Sequence, residues 1–398
     1  MATKVRVNGR GMKKGARKAV RKGAACRAAG MGRDPQLRME EVVQAAVKSG
    51  RERGVQVAAY LAGQLVVDVC AGVADPATGR KVDRETLFPV YSVSKGIAST
   101  MLHMFVERGK ISYDTPVAAV WPEFAAHGKG NVLVRHVLAH AAGLHLMPAG
   151  LKHADLLNWG KVCAAIADLA PVAAPGAETM YHAVTFGYLV GEVMRRVDGR
   201  SFEHLLEEEV CRPLGIKASL YVGMPANEEG RVATIEEVYE AGKRPEIPDD
   251  SQPQVVPGYM MPLDQWMNRS EARRACLPAS SGMATARALA RVYAALCPGG
   301  VDGVELLSPV RVRAAAGLQL AAKAEGKPSQ ALGYQLGGYS PGMGSRWTAF
   351  GHGGYGGALG YADPECGLAV GLTKNLFSAR SSRDEILREL RRALGVPE

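Results

Sequence analysis

Residues 87–96 read LFPVYSVSKG, in which a serine and a lysine, Ser92 and Lys95, stand three positions apart. On a helix, residues at this spacing lie on one face, so the hydroxyl of Ser92 and the amine of Lys95 can point into the same space. A hydroxyl beside a proton acceptor is a candidate nucleophile. Ser94 is a poorer candidate, because Lys95 directly follows it and neighbours on a helix do not face each other.

The pattern after the serine predicts that it lies where a buried helix begins. Ile97, Met101, Met104 and Phe105 recur at helical spacing until Gly109. The dipole at such an N-terminus favours negative charge that develops there. Ser-x-x-Lys also arises by chance in proteins of this size, as a helix cap and a solvated lysine, so the rest of the chain has to decide its meaning.

The basic excess of the chain is confined to its first 33 residues. The 398 residues carry 49 Lys and Arg against 39 Asp and Glu, a formal charge of +10. Residues 1–33 hold eleven of the basic residues and no acidic one, which leaves 38 basic against 39 acidic residues in the remainder. The body is therefore neutral. A nucleic-acid role would rest on the tail alone, and we expect no nucleic-acid partner.

The tail lacks the apolar core of a secretory signal. Its basic, acid-poor composition fits an organellar transit peptide and equally a disordered segment attracted to acidic surfaces. The seven cysteines are scattered, odd in number and without close pairs, which favours reduced thiols in an intracellular compartment, cytoplasmic or organellar. No apolar run is long enough to cross a bilayer, so we expect no membrane span.

The chain has strand-rich ends and a helical middle. A helix is predicted from residue 35 to about 50, apolar runs at 55–61 and 64–72 predict a hairpin, and short strands recur after 330 before a closing helix at 380–394. Strands from the two ends must share one antiparallel sheet, with the helical middle inserted between them.

The predicted fold is therefore α/β (α+β), an antiparallel sheet flanked by helices with an inserted, mainly helical subdomain. We assign 34–90 and 331–398 to the sheet subdomain and 91–330 to the helical one. Within the latter, 222–275 is rich in Pro, Gly, Glu and Met and has weak periodicity. A loop of that length in a compact domain is usually functional, so we interpret it as a lid or rim over the site.

Two further stretches offer the groups that acyl transfer needs beside a nucleophile, namely an acid/base and an oxyanion hole. Tyr181 follows PGAET at 175–179 and is predicted to begin a helix that runs to Val197, so its phenol can project into a cleft. The run FGHGGYGG at 350–357 combines an edge strand with glycines, whose backbone can approach a ligand closely.

Two other patterns in the chain are weaker. Gly351, Gly353 and Gly356 satisfy G-x-G-x-x-G, but a dinucleotide site needs a helix next and strand-like residues follow, so we exclude it. A predicted helix at 132–140 carries histidines that could bind a metal together with His145. No Glu lies between them and no third ligand is evident, so helix-end packing is favoured and no metal site is predicted.

Taken together, these stretches resemble the serine β-lactamase and penicillin-binding-protein superfamily. The closest match is its class C-like branch, which includes family VIII carboxylesterases and related acyltransferases. The resemblance spans about residues 36–395 and implies the β-lactamase/transpeptidase-like fold. Five segments match in the family's order: 87–95, 134–144, 175–192, 278–287 and 351–357.

The resemblance implies a role for each matching position. Ser92 is the nucleophile, Lys95 takes its proton or holds Tyr181 as phenolate, and Tyr181 shuttles a proton between nucleophile and leaving group. The amides of Ser92 and Tyr355 form the oxyanion hole. No cofactor is required by this mechanism.

Two departures from the lactamase pattern affect the substrate. The family's Tyr-x-Asn is Tyr181-His182-Ala183 here, and its Lys-Thr-Gly is His352-Gly353-Gly354. A lysine charge and two polar contacts to an anionic antibiotic are therefore missing, and hydrogen bonds to charged groups contribute about 1.5–3 kcal/mol each. The resemblance thus implies that the acyl-transfer chemistry is retained without the antibiotic pocket.

From these residues we predict a serine hydrolase of the esterase type that acts on a small-molecule ester. An acyltransferase, in which an alcohol replaces water, and a weak β-lactamase are alternatives on the same site. A catalytically idle binding or assembly protein is the alternative of a different class, since fold does not guarantee function. The sequence leaves the acyl group, the alcohol and the oligomeric state open.

Overall fold

The structure, a computed structural model, describes residues 34–240, 243–319, 331–338 and 340–398; the predicted tail at 1–33 lies outside them. The strands are β1 (Gly54–Leu61), β2 (Gln64–Asp75), β3 (Arg80–Lys81), β4 (Phe88–Pro89), β5 (Leu220–Val222), β6 (Glu236–Glu237), β7 (Gly282–Ala284), β8 (Gln335–Leu336), β9 (Phe350–Gly353), β10 (Leu359–Asp363), β11 (Leu368–Lys374) and β12 (Leu376–Phe377).

The helices surround these strands and fill the middle of the chain. They are α1 (Pro35–Lys48), α2 (Val93–Glu107), α3 (Val117–Val120), α4 (Val134–Leu138), α5 (Trp159–Ala167), α6 (Thr185–Asp198), α7 (Phe202–Leu206), α8 (Leu263–Met267), α9 (Ser270–Arg274), α10 (Ala286–Ala294), α11 (Pro309–Ala316) and α12 (Arg383–Ala393).

One seven-stranded antiparallel sheet joins the two ends of the chain. Its strand order is β3-β2-β1-β11-β10-β9-β8. The two ends meet at the pairing of β1 with β11, which sets Val55 opposite Lys374 and Leu61 opposite Leu368. The prediction of a shared sheet with a helical insertion is confirmed, and so is the hairpin of β1 and β2.

Both faces of this sheet are covered, which is why β1 and β11 are buried almost throughout. The terminal helices α1 and α12 cover the outer face, where Met39 and Leu390 belong to one apolar cluster with Val57 and Val370. Helix α10 covers the inner face at close range. A Cβ at Gly371 would lie 2.0 Å from the Ala286 carbonyl oxygen, so only glycine fits there.

Helix α2 is the central element of the inner core. All its residues from Val93 to Val106 are buried, as the apolar spacing after Ser92 predicted. Ahead of it, β4 pairs with β7 in a second, three-stranded sheet that also includes β5. The amide of Val90 donates to the carbonyl of Gly282 at 2.8 Å, so the nucleophile segment is fixed to residues of the 278–287 segment.

Two predicted helix boundaries are wrong. The helix expected at 132–140 is limited to α4, because the residues before it are extended and bridge to Pro116. The helix expected to begin at Tyr181 begins at Thr185. The residues before it are bonded to a distant part of the chain instead, since the amide of Met180 donates to the His140 carbonyl and the amide of His182 donates to His140 Nδ1.

In its described residues, 222–240 and 243–275, the 222–275 segment contains only short elements, among them β6, α8 and α9. Its strand β6 pairs in parallel with β12, which aligns Glu237 with Phe377. Its interpretation as a lid stays a prediction. Across the described ranges, no helix is both long and apolar enough to span a bilayer.

Candidate active site

Ser92 stands immediately before α2, as its N-cap residue. Its predecessor Tyr91 has φ of +47°, a conformation that costs a non-glycine residue about 1–3 kcal/mol and that clusters at functional sites. Ser94 is buried and engaged elsewhere, since its hydroxyl donates to the Tyr91 carbonyl at 2.6 Å and accepts from the Gly282 amide at 3.1 Å. Of the two serines, only Ser92 lies beside the lysine amine.

Lys95 is fully buried, and its nitrogen points at Ser92. Nζ lies 3.1 Å from Ser92 Oγ, 2.7 Å from the Ala183 carbonyl oxygen and 2.9 Å from the Ala279 carbonyl oxygen. None of the ion pairs in the described part of the chain includes Lys95. Burial without a compensating negative charge holds the pKa of Lys95 well below the ordinary lysine range.

Tyr181 lies over the same pair of residues. Its ring centroid is 4.9 Å from Nζ of Lys95. Desolvation raises the pKa of the Tyr181 hydroxyl, and the nearby Ser92 side chain offsets this only in part. Together with the lowered pKa of Lys95, this favours a neutral amine beside a neutral phenol over an ammonium beside a phenolate.

The loop after β9 brings the glycine-rich run against the nucleophile segment. A Cβ at Gly354 would lie 2.1 Å from the Val90 carbonyl oxygen, so the backbones touch. Gly353 is held by its amide, which donates to the Gln335 side chain at 3.0 Å. Among the described residues, no backbone acceptor is recorded for the amides of Ser92 or Tyr355, which leaves both available to an oxyanion.

His352 and His182 are buried and neutral. Burial lowers the pKa of each to about 3. His182 is satisfied, since its Nδ1 donates to the Met180 carbonyl and its Nε2 accepts from the Leu144 amide. His352 Nδ1 donates to the Gly353 carbonyl, while its buried Nε2 has no hydrogen-bond partner in the described structure and is a free acceptor.

His140 is buried just after the end of α4. Its ring lies 4.8 Å from the ring of Tyr181 and 4.8 Å from that of Phe186, and its Nδ1 accepts from the His182 amide. It therefore shapes the backbone around Tyr181. Within the part of the chain that the structure describes, no group of three His, Cys, Asp or Glu side chains is arranged to hold a metal ion.

The structure thus brings together Ser92, Lys95 and Tyr181, and the His352 ring lies 6.3 Å from the Tyr181 ring. Sequence reasoning missed the backbone carbonyls of Ala183 and Ala279 as partners of Lys95. Every residue carries a backbone carbonyl, so the residue type does not indicate which one accepts a hydrogen bond. Sequence reasoning also missed Glu237, which accepts a hydrogen bond from the Tyr355 hydroxyl at 2.5 Å. Nothing in the local pattern around Glu237 marks that contact.

Comparisons with known proteins show the family of this chain. A family model described as Beta-lactamase matches residues 39–394. An esterase/beta-lactamase, LipL of Mycobacterium tuberculosis, is 33% identical over 335 residues, which are 81% of this chain and 77% of that protein. The esterase EstB of Burkholderia gladioli is 27% identical over 197 residues, 45% of this chain and 50% of that esterase.

Solved structures are similar over almost the whole chain. A family VIII carboxylesterase superposes with a TM-score of 0.80 at 31% identity, covering 92% of this chain and 99% of the other. A penicillin-binding-protein homologue from Caulobacter crescentus gives 0.78 at 32% identity with the same coverage. The fold is accordingly the β-lactamase/transpeptidase-like one, and this chain belongs to the beta-lactamase family.

Proposed function

We propose that this chain is a serine ester hydrolase that forms a covalent acyl-enzyme on Ser92. The observation that carries the proposal is the 3.1 Å contact between Ser92 Oγ and the buried, uncompensated amine of Lys95. A serine hydroxyl is a weak nucleophile until a neighbouring base takes its proton. Similarity to an esterase/beta-lactamase and to a family VIII carboxylesterase supports an ester as the substrate class.

In acylation, Lys95 removes the proton from Ser92 as Oγ attacks the ester carbonyl carbon. The carbonyl π electrons move onto oxygen, and the amides of Ser92 and Tyr355 stabilise the resulting oxyanion. As the tetrahedral intermediate collapses, the bond to the alcohol oxygen breaks. Tyr181 gives its proton to this leaving oxygen and is reprotonated from Lys95, which returns the amine to its neutral form.

In deacylation, a water molecule takes the place of the alcohol. Tyr181 takes the water proton while passing its own proton to the neutral amine of Lys95, as the water oxygen attacks the acyl carbon. The bond to Ser92 Oγ breaks when the second tetrahedral intermediate collapses. The proton returns to Ser92, and the carboxylic acid leaves. An alcohol that entered in place of water would give a new ester, which is the acyltransferase variant of the same chemistry.

The residues around Ser92 favour esters over β-lactam antibiotics as substrates. The neutral imidazole of His352 stands where a lactamase lysine would hold the antibiotic carboxylate, and Ala183 stands where an asparagine would bind its amide. Ala183 instead contributes its carbonyl to Lys95, 2.7 Å from Nζ. The pocket therefore supports proton transfer without a fixed anion-binding group.

The proposal is tested by intact-protein mass spectrometry after brief exposure to a fluorophosphonate. We expect one adduct, which maps to Ser92 in the wild type and is absent from Ser92→Ala. Ser94→Ala is the matched control, because its hydroxyl is bonded to Tyr91 and Gly282, and it should still be labelled. A folded wild type that takes no adduct, or an adduct that persists in Ser92→Ala, would support the idle binding protein instead.

A further inference from the structure

A ring cluster adjoins the nucleophile segment. It consists of Tyr91, Tyr355 and Phe377, whose ring centroids are 5.6 to 5.9 Å apart and meet edge to face. Edge-to-face contacts of this kind stabilise aromatic rings beyond the burial of their apolar surface. Tyr355 supplies one oxyanion amide, and Tyr91 directly precedes the residue that supplies the other. The cluster thus joins the two backbone segments of the oxyanion hole.

Both phenols of this cluster are tied to the 222–275 segment. The Tyr91 hydroxyl donates to the Leu263 carbonyl at 2.9 Å, and the Tyr355 hydroxyl donates to Oε1 of Glu237 at 2.5 Å. The hydroxyl of Tyr239 lies 2.9 Å from Oε2 of Glu237 and 2.9 Å from Oδ1 of Asp264, the residue after Leu263. Glu237 therefore connects Tyr355, through Tyr239 and Asp264, to the residue that accepts the hydrogen bond of Tyr91.

The backbone beneath these side chains has little freedom to compensate. Gly356 has φ of +76°, and a Cβ there would lie 2.1 Å from the Phe377 ring. Phe377 is in turn aligned with Glu237 by the pairing of β12 with β6. A shift of Glu237 would therefore displace the Tyr355 loop in two ways. One is the hydrogen bond from Tyr355 to Glu237, and the other is the packing of the Phe377 ring against Gly356.

We propose that Glu237 is a positioning residue, whose carboxylate fixes the Tyr355 ring and thereby the direction of the Tyr355 amide in the oxyanion hole. This inference rests on the proposed function. The Tyr355 side chain is 39% exposed and borders an open groove of about 400 Å³, so packing alone does not hold its ring. An oxyanion donor acts only when it is aimed at the developing charge, and small displacements lower the rate strongly.

The first test compares steady-state hydrolysis of a p-nitrophenyl ester by Glu237→Ala, Tyr355→Phe and Glu237→Gln. We expect kcat to fall about tenfold or more in the first two with KM changed less than about threefold, because the lost contact acts in the transition state. Glu237→Gln keeps an acceptor oxygen and should recover most of the rate. The double variant Glu237→Ala/Tyr355→Phe should be no worse than either single one, since both remove the same bond.

The matched control is Glu236→Ala. Glu236 is the neighbouring carboxylate on β6, pairs with Arg53 at 2.7 Å and makes no recorded contact with Tyr355. It should leave kcat unchanged. Equal losses of kcat in Glu236→Ala and Glu237→Ala would overturn the proposal. So would a loss of kcat in Glu237→Ala that is fully explained by a lower melting temperature.

A second readout does not depend on esterase activity. Amide hydrogen exchange of the peptide covering 353–358 should be faster in Glu237→Ala and Tyr355→Phe than in the wild type and Glu236→Ala. Unchanged exchange in Glu237→Ala would refute the positioning role even if Ser92 is labelled. Conversely, faster exchange in Glu237→Ala, together with a wild type whose Ser92 takes no fluorophosphonate, would support the positioning of Tyr355 by Glu237 and contradict the proposed esterase function.

Discussion

Nζ of Lys95 lies 3.1 Å from Oγ of Ser92, and its other hydrogen-bond partners among the described residues are two carbonyl oxygens, so no carboxylate there stabilises its charged form. Burial alone then sets its protonation state, and burial favours the neutral amine. A neutral amine is what a general base must be before the reaction begins.

The pH profile of acylation should therefore reflect Lys95. Because its pKa lies well below 10.5, kcat/KM should rise through a single ionisation far below the ordinary lysine range and fall as Lys95 becomes protonated at lower pH. Rates of p-nitrophenyl ester hydrolysis across pH 5–10 measure this. A profile that rises only near pH 10 would contradict the assignment.

Lys95→Met should lower kcat about 100- to 10,000-fold, the usual range for loss of a general base. Lys129 offers a matched control, because it is also fully buried and its amine also contacts carbonyl oxygens, those of Ala126 and Leu169. Lys129→Met should reduce the melting temperature without reducing kcat per folded molecule. Similar kcat losses in both variants would indicate that stability, not proton transfer, is being measured.

Tyr181→Phe should reduce kcat by about 100-fold or more and leave Ser92 reactive towards a fluorophosphonate, because the phenol acts on the leaving oxygen and Lys95 activates the serine. Esters with poorer leaving groups should suffer most, since they depend on the donated proton. Kinetics with p-nitrophenyl and alkyl esters separate the two cases. Tyr221→Phe, a change on β5, is the control. If Tyr181→Phe lowered the rate equally with both substrates, Tyr181 would not be the proton donor to the leaving group.

β-Lactam hydrolysis should be a side reaction. We expect kcat/KM for nitrocefin to be at least about 100-fold below that for a p-nitrophenyl ester, since two contacts worth about 1.5–3 kcal/mol each are missing. Ala183→Asn restores an amide side chain next to Tyr181 and should raise the ratio of lactam to ester activity, whereas Ala183→Ser should not. A wild type equally active on both substrates would refute the argument.

Acid should destabilise the fold through its buried histidines. His182 and His352 have pKa values of about 3 in the native state against about 6.5 when unfolded, so the unfolded chain binds more protons as the pH falls from 6.5 towards 3. Each then removes about 1.4 kcal/mol of stability per pH unit in that window. Urea midpoints at pH 7 and 4.5, with NMR titration of the two rings, test this; a ring that titrates near pH 6.5 in the native protein would contradict it.

A buried ion pair should anchor the closing helix. Glu52 and Lys374 are both fully buried at 2.7 Å, and Glu52 also accepts from the amide of Ser382, just before α12. Lys374→Met leaves the carboxylate unpaired and should cost about 3–5 kcal/mol of unfolding free energy. Glu236→Ala, which breaks an exposed pair, should cost less than about 1 kcal/mol. Equal losses in both variants would rule out the anchoring role.

Local sequence patterns predicted the features that depend on neighbouring residues. They failed for features that are set by contacts between residues distant in the chain. The spacing of Ser92 and Lys95, the buried α2 and the hairpin of β1 with β2 were readable because helix and strand periods are local. The start of α6 was not, because the amides of Met180 and His182 bond to His140, some forty residues earlier in the chain. For the same reason the bond between Glu237 and Tyr355 joins segments that no spacing rule connects.

The pairing of β1 with β11 has a consequence for synthesis. A ribosome that has finished the nucleophile segment has still to make more than 250 residues before β9 and β11 exist, so the site cannot assemble while the chain is emerging. Pairings between such distant residues make folding slow and leave sheet edges exposed in the meantime. The proposed site is thus incomplete until the last strands are made, because a chain that ends before residue 350 would carry Ser92, Lys95 and Tyr181 without the proposed oxyanion amide of Tyr355.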